Sequence, residues 1–175
     1  MKSKPMLWAV LAVWCVLGVA TAVSAADQVI FVVRHAERAD APGAQPPPGM
    51  MANDPPLSAA GTERAKRLAA LLASADVKHI FTTELMRTKQ TAAPLAEAMK
   101  VTASVVSGRD VAAVAAQIRG AAGNVLVVGH SNTVPEVLKQ LGVTQPIAIG
   151  DGEYDNLFVV VRPATGEPTL VRLRY

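Results

Sequence analysis

Cysteine is almost missing from this chain of 175 residues: Cys15 is the only one. A disulfide framework and a Cys-bound zinc are therefore excluded, and any domain beyond the start must rest on its hydrophobic core. An excess of charge is missing too. Lys and Arg number 17 against 14 Asp and Glu, and two of the lysines, Lys2 and Lys4, stand at the very start. Bulk charge thus gives no support to nucleic-acid binding. Histidine is scarce, with three in all, so each one is worth placing. Long uncharged apolar runs are confined to one stretch, residues 6–23.

That stretch follows Met1-Lys2-Ser3-Lys4 and ends in Val23-Ser24-Ala25. A basic start, an apolar middle and small residues at the end make the three-part layout of a secretory signal. Residues 1–25 are expected to be removed near Ala25, leaving residues 26–175 as one exported domain, periplasmic or extracellular and free of the membrane. The competing reading is an uncleaved anchor, since the run is close to the shortest that spans a bilayer. A lipid attachment at Cys15 is disfavoured by the bulk of Trp14 before it.

In the remaining chain, apolar runs alternate with helical spacing. Residues 28–33 form a β-branched run of the kind that is buried on both faces of a sheet. Residues 40–56, with Met50 and Met51, are rich in proline and glycine and read as a long loop. Ser58 is an expected N-cap, followed by Ala65, Leu68, Ala69 and Leu72 at helical spacing, with Arg64, Lys66 and Arg67 on a solvated face. Further strands are expected at 78–82, 101–106 and 124–128. Helices are expected from Thr83, with a kink at Pro94, from the cap Asp110 to near Gly120, and from Asn132 through Leu141. Residues 157–161 and 169–173 read as a closing hairpin. The pattern predicts an α/β fold, a three-layer sandwich around a mostly parallel sheet.

His35 and His130 each follow one of the two most apolar runs. In open α/β sheets ligands bind beyond the carboxyl ends of the strands, so both imidazoles are expected at one pocket. His79 begins a strand and reads as a surface residue. Arg34 and Arg38 flank His35, and Arg87 lies in the first turn of the helix after the second strand. Arginine's planar fork suits phosphate, and the helix from Asn132 adds free N–H groups and a positive dipole end. The expected site is an electropositive pocket with a histidine at its floor, whose arginines depress the histidine's pKa.

The segments Arg34-His35-Ala36-Glu37, Leu57-Ser58-Ala59-Ala60-Gly61, Leu85-Met86-Arg87-Thr88-Lys89-Gln90-Thr91-Ala92 and Val128-Gly129-His130-Ser131 together resemble, in order, the signatures of the histidine phosphatase, or phosphoglycerate mutase-like, superfamily. The resemblance implies a metal-independent, cofactor-free phosphatase of the compact branch-1 type. It makes His35 the nucleophile that becomes phosphorylated, with Arg34, Arg87 and His130 holding the phosphoryl group. Arg38 resembles an extra phosphate-binding arginine of the acid-phosphatase branch. The family often has glycine where Ala36 stands. For the general acid that protonates the leaving group, Glu37, Glu84, Asp110 and Glu136 remain open. The chain length leaves little room for a substrate-selecting lid. Export points away from cytoplasmic phosphoglycerate and signalling phosphoproteins, toward a phosphorylated small molecule or envelope component.

Three rivals were weighed. Gly129-His130-Ser131-Asn132-Thr133 resembles a nucleophile elbow, but Thr133 replaces the closing glycine and no histidine follows His130. A metal site is opposed by the wide spacing of His35, His79 and His130. A non-catalytic domain that binds phosphorylated ligands in the same pocket stays as the alternative. The sequence does not fix the oligomeric state.

Overall fold

The computed structural model describes residues 27–41 and 54–175. The expected signal segment with Cys15, and the part of the long loop that holds Met50 and Met51, lie outside the described residues. In chain order the elements are β1 (Gln28–Arg34), α1 (Ala59–Leu71), β2 (Val77–Thr82), α2 (Met86–Met99), β3 (Ser104–Val105), α3 (Val111–Gly120), β4 (Asn124–Gly129), α4 (Thr133–Gln140), β5 (Asn156–Arg162) and β6 (Thr169–Arg174). The strands form one sheet in the order β3-β2-β4-β1-β5-β6. β1, β2, β3 and β4 run parallel, and the β5–β6 hairpin adds antiparallel to β1.

Two-residue alternation in the central strands makes two cores. Ile30 and Val32 of β1, with Val125 and Val127 of β4, face Val114 and Ile118 of α3 and Val134, Val137 and Leu138 of α4. Phe31 and Val33, with Leu126 and Val128, face Leu68 and Leu72 beside α1, and Ala92 and Leu95 of α2. With both faces covered, the strands need to be apolar throughout, and their continuous Val/Ile/Leu runs are the result. The arrangement is the expected three-layer sandwich.

Local chemistry sets the ends. Ser58 accepts from the Gly61 N–H at 3.1 Å and Asp110 from the Ala113 N–H at 2.8 Å, each satisfying an orphan donor of its helix. Three sequence expectations are corrected. The helix expected at Thr83 starts at Met86, because Thr83 is engaged by other side chains. The strand expected over 101–106 shrinks to Ser104–Val105, because the Val101 N–H is committed to the Ala96 carbonyl at the end of α2. Arg64 leaves the solvated face and turns to Glu37, as described below. Pro94 sits inside α2, which continues past it to Met99.

Gly61 is required by close approach. A Cβ there would lie 2.2 Å from the Glu37 carbonyl oxygen, and that oxygen also accepts from the Ser58 N–H at 2.9 Å. Neither partner is a flexible side chain, so the backbone after β1 would have to move. Gly61→Ala is expected to cost about 3 kcal/mol, the upper range for overpacking. Urea denaturation measures it, and an unchanged midpoint would contradict this close packing.

Candidate active site

The site is built at the carboxyl ends of β1 and β4. Their parallel register pairs Arg34 with Gly129, and the His35 N–H donates to the Gly129 carbonyl at 2.9 Å. The next residue on each strand is a histidine, so the register places His35 and His130 side by side. Their ring centroids are 5.3 Å apart, in an edge-on arrangement.

The backbone after His35 is held from α2. The Ala36 N–H donates to the Thr91 hydroxyl at 2.9 Å, and that hydroxyl donates to the Arg87 carbonyl at 2.7 Å. Gln90 accepts from the Leu57 N–H at 2.7 Å, and residues 37–39 run against 56–58 through the Ala39–Pro56 and Ser58–Glu37 backbone bonds. The first two turns of α2 therefore present Arg87 and position the loop after His35 at once.

The His35 Nδ1 lies 2.8 Å from the Ala36 carbonyl. A carbonyl only accepts, so Nδ1 carries the ring proton and Nε2 keeps its lone pair. Burial lowers the His35 pKa to about 3, against the Ala36 hydrogen bond, with His130, Arg87 and Arg34 adding repulsion. His130 is lowered to about 4, first by burial and then by Arg87, with Glu84 opposing and Arg34 and Arg38 adding. Both rings are neutral across the physiological range.

Arg34 is 7% exposed. Its Nη1 donates to the carbonyls of Gly150 and Asp151 at 2.9 Å and of Glu153 at 3.2 Å, and its guanidinium lies 4.1 Å from the centroid of the Tyr154 ring. Arg87 has Asp54 at 3.8 Å. The buried Nε–H groups of Arg34 and Arg87 find no partner among the described residues. Buried guanidinium donors without partners are costly, and an anion between the histidines and arginines would satisfy them. Arg38 is half-exposed and forked onto Asp40, although its charge still acts on Arg87 and His130.

Sequence-predicted residues thus separate clearly. His35, His130, Arg34 and Arg87 meet at one point, with Arg38 at its margin. Glu37 faces away: Arg64 donates to its two oxygens at 2.6–2.9 Å and also reaches the Tyr175 carbonyl at 2.8 Å. Burial would raise the Glu37 pKa, but Arg64 holds it below the ordinary value. Asp110 caps α3, Glu136 is exposed on α4, and His79 is bonded to the Ala122 carbonyl. Of the four candidate acids, only Glu84 acts on the charge of His130. It accepts from the Gly108 N–H at 3.0 Å, and its own and Gly108's backbone N–H groups keep its carboxyl ionised. Ser131 is no nucleophile elbow: the turn is closed by Thr133, whose hydroxyl accepts from the His130 N–H at 2.9 Å. Among the described residues no group of three or more His, Asp or Glu is placed to hold a metal ion.

Sequence reasoning missed Tyr154, Asp40, Asp54 and Thr83. The Tyr154 ring lies 5.9 Å from that of His35. Asp54 accepts from the Met86 N–H with both oxygens while facing Arg87. None of the four lies in an element whose periodicity would single it out.

Because both rings are held below 6.5, the unfolded chain takes up protons that the folded chain refuses as pH falls under that value. Stability is therefore expected to fall from about pH 6.5 toward pH 4. The loss should be shallower in His35→Gln, which removes one of the two rings. Thermal unfolding across that range measures it, and identical slopes for the two proteins would contradict the burial of a neutral His35.

A family model described as the histidine phosphatase superfamily (branch 1) matches residues 30–108. No curated protein matches the chain by sequence. Among solved structures, the protein histidine phosphatase SixA complexed with tungstate is 16% identical; the match covers 83% of this chain and 96% of that one, with a TM-score of 0.62. A phosphoserine phosphatase from Entamoeba histolytica, in complex with 3-phosphoglyceric acid, is 13% identical over 85% and 97%, with a TM-score of 0.60. A mycobacterial glucosyl-3-phosphoglycerate phosphatase is 13% identical over 82% and 97%, with a TM-score of 0.56. At these identities the likeness is one of fold.

Proposed function

We propose that this chain is a phosphomonoester phosphatase of the histidine phosphatase superfamily, working through a phosphohistidine on His35 without a metal. The observation that carries this reading is the His35 ring itself: its proton is committed to Ala36, its Nε2 lone pair is free, and its pKa lies far below neutrality. In the first step the Nε2 lone pair forms a bond to phosphorus. The bond from phosphorus to the leaving oxygen breaks, and that oxygen keeps the electron pair, departing as an anion that takes its proton from solvent water. Water then attacks phosphorus, the P–N bond breaks back to Nε2, and inorganic phosphate leaves. Arg34, Arg87 and His130, with Arg38 at the margin, are the groups that would stabilise charge on the equatorial oxygens.

None of the four candidate carboxylates is placed as a protonated donor to the leaving group. Glu37, Asp110 and Glu136 are engaged or directed elsewhere, and Glu84 is held in its charged form. The substrate range should therefore favour leaving groups that depart as stable anions. The kcat/KM of p-nitrophenyl phosphate, which reports formation of the phosphoenzyme, is expected to exceed that of glycerol phosphate by roughly a hundredfold, the scale of lost acid catalysis. Equal kcat/KM values would show that an efficient acid is present.

The same assay separates catalysis from the alternative, a non-catalytic domain that binds phosphorylated ligands. The full chain should form an acid-labile phosphoenzyme that is absent in His35→Ala. Arg87→Ala should lower kcat/KM by at least about a hundredfold, since a phosphoryl clamp acts in the transition state. A protein that binds phosphate but neither turns over p-nitrophenyl phosphate nor becomes labelled would establish the binding role.

The export reading is part of the proposal. The apolar start of the chain supports delivery outside the cytoplasm, with an envelope phosphomonoester, such as a sugar phosphate, as the substrate class. Cell fractionation tests it, and an unprocessed cytoplasmic form would redirect the search to intracellular substrates.

A further inference from the structure

Thr83 stands between β2 and α2 and belongs to neither, yet it is 6% exposed and touches His130. Its hydroxyl is 3.1 Å from the His130 Nε2 and 3.0 Å from the Thr88 hydroxyl, and the Leu85 N–H approaches it at 3.4 Å. Thr88 is fully buried, and its hydroxyl lies 2.8 Å from the Leu85 carbonyl and 3.1 Å from the Thr83 carbonyl.

Counting protons orients this chain of contacts. Each hydroxyl has one proton, and a carbonyl only accepts. The Thr88 proton therefore goes to the carbonyls, and toward Thr83 the Thr88 oxygen accepts. The Thr83 proton is then committed to Thr88, so toward His130 the Thr83 oxygen also accepts. The His130 Nε2 has to be the donor. Its Nδ1 is left with the lone pair, so His130 can donate to a phosphoryl oxygen only once a further proton binds there, which a bound anion beside the ring favours.

We propose that Thr83, backed by Thr88, is a positioning residue that fixes the proton of His130 on Nε2, so that the paired histidines work as opposite tautomers. His35 is protonated on Nδ1 because it faces the Ala36 carbonyl. His130 is protonated on Nε2 because it faces a hydroxyl whose own proton is already committed. The geometry accounts for a hydroxyl at each of these positions: both are buried, both commit their single proton, and Thr83 accepts from the His130 ring and the Leu85 N–H as well. The assignment rests on the phosphatase reading only for its kinetic consequence, because the tautomer exists without turnover.

The test is two-bond proton–nitrogen NMR on the full chain labelled with nitrogen-15 in its three histidines. The wild type is expected to show His35 protonated on Nδ1 and His130 on Nε2. Thr83→Val should release His130 from its single tautomer and lower kcat about tenfold, the scale of one net hydrogen bond. Thr83→Ser should restore both. Thr88→Val does not touch His130, but it frees the Thr83 proton to point at Nε2, so the ring proton should move to Nδ1. His35, whose proton is set by Ala36, serves as the internal control. A wild-type His130 protonated on Nδ1, or an Nε2 proton that persists in both valine variants, would overturn the assignment. A chain with the expected tautomers and no phosphatase activity would leave it standing and remove the phosphatase reading instead.

Discussion

The register between β1 and β4 is the constraint on which the site depends. Five pairs from Ile30–Val125 to Arg34–Gly129 bring the strands to an end together. The His35–Gly129 backbone bond extends the alignment by one residue. A slip of one residue would send the alternating Val and Ile side chains to the wrong layer and would separate the imidazoles. Two cores, one on each face of the sheet, resist such a slip. The energy that holds the two histidines at 5.3 Å thus comes mainly from valines, isoleucines and leucines on either side of the sheet, far from any phosphate.

From this base, α2 does more than supply one arginine. Arg87 contributes charge, Thr88 orders a proton, Gln90 holds Leu57, and Thr91 holds the backbone after His35. Four residues within five positions cover two adjacent faces of a helix, so one rigid element coordinates groups from the segment after β1, from the segment before α1 and from the segment after β2. Such a site needs no separate scaffold for each side chain.

Much of this was legible in the sequence, for physical reasons. Strands buried on both faces leave unmistakable apolar runs, and caps such as Ser58 and Asp110 stand where a polar residue precedes helical spacing. The paired histidines follow directly from the ends of those runs. What was not legible depends on who faces whom. Arg64 reads as one of three cations on an exposed helix face, and only the position of Glu37 turns it inward. Glu37 reads as a candidate acid until that partner is known. Tyr154 lies in an irregular segment with no period to place it. The role of Thr83 depends on the proton count of a second threonine and two carbonyls, which no local pattern records.

The anchoring of Arg34 has a consequence for divergence. Its Nη1 is gripped by three main-chain carbonyls, from Gly150, Asp151 and Glu153, and by no carboxylate. Peptide oxygens are supplied by every amino acid, so the carbonyl grip makes no demand on the side chains at 151 and 152, while Glu153 ties the turn through the Gly150 N–H and Tyr154 lies against the guanidinium. Asp151 and Gly152 are exposed and make no side-chain contact to the guanidinium. Descendants of this chain are therefore free to exchange those two positions, and with them the contour and charge beside the catalytic centre, while the arginine stays in place. The clamp and the rim can evolve on separate schedules.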